Sequence, residues 1–350
     1  MTETATVQAS TERKSSSILS IAGHVGERAA LPLLLVLIIL FFSLNPTTGA
    51  IFTSAANIQN IGANQSVTGL IAIGMVIPLV AGYFDLSVAA IAGLSAVSVA
   101  SAIGTHGWPV PLGLSLGIAF GVIAGAVNGI LVGAFRLNPF ITTFAMYITI
   151  GGLLQLYTKG QILTGMPPDL GTWLAGKWLG VARPFWFLIL IGTLAWYMLV
   201  QTPFGRKLAA IGSNEAAARL AGIRVDRAVA SVFLLSGFVA GLAGALLAVR
   251  TGSADQGTAL SFLFPALAAV FLGQTTIDPG HYNVWGTIIG IFVVAVAVNG
   301  LTLLGAEAWI TQVFNGAALL LAVTVSSFMT RTRERRARNL VLEGPAREAD

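Results

Sequence analysis

The stretch GLSLGIAFGVIAGAVNGILVGAF, residues 113–135, decides the fold. It carries no charge, and as a helix rising about 1.5 Å per residue it is long enough to cross a bilayer core roughly 30 Å thick. Within it Gly113, Gly117, Gly121, Gly125, Gly129 and Gly133 recur at every fourth position. Glycines let neighbouring helices meet backbone to backbone. Each four-residue step advances about 40° round the helix, so the stripe is expected to touch more than one neighbour and to lie at the centre of a bundle.

The rest of the chain agrees with a membrane setting. Of its 350 residues 55% are hydrophobic and only 9% charged, against roughly 25% charged in soluble domains. Mean hydropathy is +0.84. Apolar runs recur along nearly the whole length and leave no room for a soluble domain of ordinary size. With no cysteine in the chain, disulfides, thiolate metal sites and cysteine nucleophiles are excluded. The net charge of +5 reads as the lysine and arginine excess of cytoplasmic loops, with no nucleic-acid partner implied.

Apolar windows between glycine, proline and charged breaks predict ten spans, at 29–44, 65–82, 87–104, 112–135, 140–157, 185–201, 228–249, 262–274, 284–304 and 309–328. The expected fold is therefore an all-α polytopic membrane protein: a polar tail over 1–28 with no cleavage pattern after it, one membrane-spanning body over 29–329, and a basic tail over 330–350. With both termini in the cytoplasm, inside segments hold 15 of the 19 Lys and Arg, the asymmetry that orients membrane proteins. The segment AVNGILVGAF, residues 126–135, resembles AVNGLTLLGA, residues 297–306. The two lie in spans of opposite direction, which predicts a five-plus-five inverted repeat, an arrangement frequent in transporters.

Two catalytic-looking motifs are set aside. GLSLG, residues 113–117, fits a nucleophile elbow but lies inside the glycine stripe, away from His24, His106 and His281. GTWLAGKW, residues 171–178, ends in Trp178 where a phosphate-binding loop needs a hydroxyl for magnesium. No metal-binding pattern and no cofactor of the chain's own is expected.

Two polar features carry function. Between Arg28 and Arg136 the only acidic or basic side chains are Asp85 and His106. Intramembrane acids are costly and mark function. In FDLSVAA, Asp85 either caps the following helix with help from Ser87, or touches a solute or gate. The other feature is TPFGRKLAAIGSNEAAARLAGIRVDR, residues 202–227, the largest hydrophilic interruption. Ser213 or Asn214 can cap a short helix from Glu215, which Gly222 ends. Such a helix on the cytoplasmic face suits anionic lipid or docking to another protein.

FGRKLAAIGSNEAAARLAGIRVDRAVASVFLLSGFVAGLAG resembles the cytoplasmic loop and next helix of the ribose-type ABC importer permeases, whose wider family includes branched-chain amino acid permeases. FDLSV, NPFITTFAMYITIGGL and NVWGTIIGIFVVAVAVNGLTLLG resemble further segments of that family, in the same order, over about residues 57–328. The resemblance implies a multi-pass subunit of the bacterial cytoplasmic membrane. Its implied partners are a second permease subunit, two ABC ATPase subunits that hold ATP and magnesium, and an extracytoplasmic solute-binding protein. It also implies a coupling helix spanning Gly212, Ser213, Asn214, Glu215, Arg219 and Gly222, with Glu215 and Arg219 against the ATPase. Before Asp85 the family's paired glycines are replaced here by Gly82-Tyr83-Phe84.

The expected cargo is a pentose or hexose, with an amino acid, polyol or nucleoside as alternatives. A channel or membrane-embedded enzyme is less in keeping with the loop. Sugars are neutral and rich in hydroxyls, so the path is expected to use Asn64, Gln65, Asn128, Thr142, Thr143 and Asn299 beside Asp85 and Ser87. All of these could instead be packing hydrogen bonds between helices.

Overall fold

Ser54 accepts a hydrogen bond from the Asn57 amide and starts a 26-residue helix at Ala55, ten residues before the expected start of the second span. The early turns carry Asn57, Asn60, Asn64 and Gln65, so hydropathy alone reads them as loop. In this computed structural model, which describes residues 28–307, 309–321 and 323–324, eight helices are long and apolar enough to cross a membrane. They are α2 (Ala55–Val80), α3 (Val88–Thr105), α4 (Val110–Ala134), α5 (Pro139–Thr158), α6 (Arg183–Gln201), α7 (Val225–Thr251), α8 (Gln256–Gly273) and α9 (Val284–Leu303). Two shorter apolar helices, α1 (Arg28–Leu44) and α10 (Trp309–Leu321), occupy the expected first and last spans. The tails expected at either end lie outside the described residues, apart from Arg28 at the start of α1.

After α2, the span whose limits differ most from expectation is α8. It begins six residues early, where Asp255 accepts from the amides of Gly257 and Thr258, and it is interrupted at Ser261 and Phe262.

Four of the five expected repeat pairs share a common spacing and packing, while the first, α1 and α6, begins 155 residues apart. α2 and α7 begin 170 residues apart, α3 and α8 168, α4 and α9 174, and α5 and α10 170. α7 packs on α4 and α3 as α2 packs on α9 and α8, and α3 lies on α4 as α8 lies on α9.

The glycine stripe behaves as its geometry requires, but α4 is not central. A Cβ added at Gly113 or Gly117 would meet side chains of α3, Ile103 at 2.4 Å and Val99 at 2.5 Å. At Gly121, Gly125, Gly129 and Gly133 it would meet the α7 backbone, at Gly237, Phe233, Ala230 and Asp226, within 2.4–2.7 Å. The stripe thus passes from one neighbour to a second. Only 28% of the apolar window of α4 is buried, against 78% for α2 and α3 and 67% for α7 and α9. Leu112, Ile123 and Ile130 point outward. One buried glycine face does not make a central helix, because the opposite face is equally apolar when its neighbour is lipid.

Candidate functional site

The interruption between α6 and α7 folds as two short helices. Thr202 caps Pro203–Ser213, accepting from the Gly205 amide. Asn214 caps Glu215–Leu220, its Oδ1 accepting from the Ala217 amide at 3.0 Å. Of the two candidate caps Asn214 is therefore the one used, and Ser213 closes the preceding helix. The chain leaves the second helix at Gly222 in the left-handed region, φ +83°, a conformation glycine adopts freely. Gly212 presses on the end of α2, where an added Cβ would sit 2.4 Å from the Val80 carbonyl.

Charges tie this helix to the body. Arg219 bridges Glu215 at 2.8 Å and Asp226 at 2.6 Å, and Asp226 reaches Arg136 at 3.1 Å. The Tyr83 hydroxyl donates to Glu215 at 2.9 Å. Glu215 and Arg219 keep 47% and 33% of their side chains exposed, so the helix has an outer face while its charges are held from within. Exposed pairs of this kind add little stability; their effect is to fix position. Tyr83, two residues before Asp85, is therefore the strut between that corner and the loop.

The Arg219 guanidinium holds the Glu215 carboxyl below its ordinary range. Burial, reinforced by the hydrogen bond to Glu215, pushes the Tyr83 phenol up, so it remains a donor at physiological pH. A group whose folded pKa is depressed stabilises above its unfolded pKa and loses that contribution as pH falls through the folded value. Tyr83→Phe is expected to speed amide exchange across 214–222 at neutral pH while leaving the spans protected. The wild-type loop should show the same loosening only on acidification below the ordinary glutamate pKa of about 4.3. Unchanged exchange in the variant would remove the strut.

Behind Tyr83 lies a buried polar cluster. Asp85 is 1% exposed. Its Oδ1 accepts from the Ser87 amide at 3.0 Å and the Ser87 hydroxyl at 2.6 Å, and its Oδ2 accepts from the Ser236 hydroxyl of α7 at 2.8 Å. These hydrogen bonds are what allow a carboxyl group to sit away from water. The expected cap is corrected: α3 begins at Val88 with Ser87 at the capping position, and no side chain caps it. Asp85 lies three residues before the helix, so its carboxylate closes a turn on Ser87 instead of reaching the first helical amides. The single Ser87 proton is given to Asp85, so the Ser87 oxygen receives the Asn128 amide at 2.7 Å. That leaves Asn128 Oδ1 buried without a partner. Thr143 joins from α5, accepting from the Leu86 amide and donating to the Pro139 carbonyl.

At the opposite end of the bundle α2, α8, α9 and α10 line an open cavity of about 920 Å³. Asn60, Asn64, Gln65, Asn299, Gln312 and Asn315 are among its lining residues, and among the described residues no ionisable side chain is. Asn299 also exchanges reciprocal amide hydrogen bonds with Asn57, at 2.9 and 3.0 Å. Asn315 Oδ1 is buried without a partner. A second crevice of about 220 Å³, between α2, α4, α6 and α7, is lined only by apolar and aromatic side chains.

The residues expected along a solute path thus separate. Asn64, Gln65 and Asn299 line the cavity; Asp85, Ser87, Asn128 and Thr143 form the buried cluster; Thr142, half-buried on α5, joins neither. Ser236, Asn57 and Gln312 escaped sequence reasoning, because a lone serine or amide in an apolar helix carries no local signal. GLSLG is helical within α4, and Gly171 to Ala175 belong to the short helix Pro168–Ala175, so neither motif has the turn its chemistry needs. Among the described residues no group of three His, Cys, Asp or Glu could hold a metal ion.

A family model described as "Branched-chain amino acid transport system / permease component" matches residues 57–323. The ribose import permease RbsC of Bacillus subtilis is 38% identical over 292 residues, covering 83% of this chain and 89% of the relative. RbsC of Escherichia coli K12 is 34% identical over 305 residues, 86% of this chain and 94% of its own. The L-arabinose ABC transporter permease AraH of Azospirillum brasilense is 32% identical over 308 residues, 87% and 89% of the two chains. No solved structure matches.

Proposed function

Because the chain belongs to the family of branched-chain amino acid transport system permease components, we propose that it is the membrane subunit of an ABC importer for a neutral sugar, a pentose or hexose. The observation that carries the cargo is the 920 Å³ cavity, which offers amides and hydroxyls between apolar and aromatic side chains and, among the described residues, no charge. A sugar presents hydroxyl donors and acceptors to such a wall. A zwitterionic amino acid would have to shed water from two charges with none to meet them, which is costly. The similarity to ribose and arabinose permeases supports the same reading.

In this reading the 202–224 loop is cytoplasmic, as its basic residues favour. The helix Glu215–Leu220 seats in a separate ATPase subunit, which supplies the phosphate-binding loop and ATP site. The cavity then faces outward, towards an extracytoplasmic binding protein that delivers the solute, and a second permease subunit completes the path. Closure of the ATPases moves the loop, and the two five-helix halves exchange access from one side to the other.

Uptake should be measured in proteoliposomes holding the permease, its ATPase and its binding protein, with labelled ribose, arabinose, leucine and a nucleoside. Pentose uptake that requires ATP is expected. Gln65→Leu and Asn64→Leu should lower it about tenfold, the cost of roughly one lost hydrogen bond in the path, while the ATPase still copurifies. Transport of leucine in preference to pentose would overturn the sugar assignment, and flux without ATP would overturn the importer.

A further inference from the structure

The cavity and the buried cluster are made from repeat mates. The cavity is walled by α2, α8, α9 and α10; the cluster draws on α7, α3, α4 and α5, with Ser236, the Asp85–Ser87 turn, Asn128 and Thr143. Each set is the other's partner under the five-plus-five repeat. At residue level two members of the cluster have mates that line the cavity, Asn128 with Asn299 and Thr143 with Gln312, whereas Asp255, the mate of Asp85, lies outside its lining. Asn128 and Asn299 occupy the same place in the two AVNG segments, and Phe-Ile-Thr at 140–142 matches Trp-Ile-Thr at 309–311. Asp85 precedes α3 as Asp255, 170 residues later, precedes α8, and each accepts from the amide two residues on.

The two differ in state. At the far end the helices stand apart around about 920 Å³, with the Asn315 acceptor buried and unpartnered. At the loop end the equivalent helices are closed on one another, Ser87, Asn128, Thr143 and Ser236 being wholly buried. Yet this end too holds an unpartnered acceptor, Asn128 Oδ1. A packed core normally satisfies its amides; an orphan beside two hydroxyls and a carboxylate is the hydrogen-bonding set a polyol would complete.

We infer that the Asp85–Ser87–Ser236–Asn128–Thr143 cluster is a second solute site, seen here closed, which opens towards the 202–224 face when the outer cavity shuts and binds the same hydroxyl-rich cargo. The inference rests on the importer reading. Exchange of two equivalent half-structures makes the closed end of one state the open end of the other. Tyr83 joins the cluster's corner to Glu215, so displacement of the loop acts directly on the elements that must part.

The chain has no cysteine, so single cysteines can be placed without background. Ser87→Cys and Ser236→Cys keep side-chain size, and Thr302→Cys marks the outer cavity it lines. Each variant, assembled with its ATPase and binding protein in proteoliposomes, is exposed to a membrane-impermeant maleimide. The reagent is applied on the loop face for the serine positions and on the opposite face for Thr302, with and without turnover. Labelling at 87 and 236 is expected to rise about tenfold during turnover while labelling at 302 falls, as a population shift between two states requires. Added ribose or arabinose, whichever is transported, should slow labelling at 87 and 236. If position 302 responds to turnover but 87 and 236 stay unlabelled, or label equally in every state, the second site is overturned and the outer cavity stands. If position 302 does not respond although pentose is transported, the cavity reading fails and the second site with it. Two serine positions guard against one variant failing to assemble.

Discussion

A Glu215→Arg variant is expected to insert and fold its spans but to take up solute at about a tenth of the wild-type rate or less, a loss of roughly 1.4 kcal/mol or more of coupling. Glu215 receives both the Tyr83 hydroxyl and the Arg219 guanidinium. The substitution removes their acceptor and places a new cation beside Arg219, with Asp226 already shared between Arg219 and Arg136. The short helix should then lose its fixed position, and the ATPase should no longer copurify in mild detergent. Gly222→Pro tests the same helix through the backbone. Proline needs φ near −65° and has no N–H, whereas Gly222 stands at φ +83° and donates to the Arg219 carbonyl at 3.0 Å. Normal uptake and normal ATPase recovery in both variants would end the coupling assignment.

The second large effect is on assembly. Gly237→Leu places a branched side chain where even a Cβ would lie 2.3 Å from the Gly121 carbonyl and 2.8 Å from Gly125 Cα. Overpacking typically costs about 1–3 kcal/mol. Here the obstacle is backbone on both sides, so a loss of about 3 kcal/mol is expected, seen as a lower unfolding temperature and aggregation on size-exclusion chromatography. Gly152→Leu is the control, since nothing lies within 4 Å of that position and it should behave as wild type. Equal stability of the two variants would show that α4 and α7 are not held by their glycines.

Much of this architecture is legible in the sequence, and the illegible parts share a cause. The caps and stops of the loop follow from local chemistry, so the stop at Gly222 and a cap at Ser213 or Asn214 are legible from their sequence neighbours alone, and the structure chooses Asn214. The glycine period of α4 likewise reports close contact. That α4 is peripheral cannot be read, because lipid and protein neighbours favour the same side chains. The amide-rich opening turns of α2 read as loop for the complementary reason: Asn57 is matched by Asn299, 242 residues away. Asp85 reads as a cap because its sequence neighbours permit one, while the partner that explains its burial, Ser236, is 151 residues distant. Local rules describe local bonds, and the candidate site is built from distant ones.

The contact between α4 and α7 also bears on mechanics. α4 belongs to the first five helices and α7 to the second, and between Gly121 and Gly133 their backbones touch with few side chains between them. Interlocked side chains resist sliding because each must climb over its neighbour. Bare backbones have no such teeth. They cling through many weak, short-range contacts, which oppose separation strongly and lengthwise slip only feebly. If the halves exchange access as proposed, this boundary is where they would slide on one another without parting.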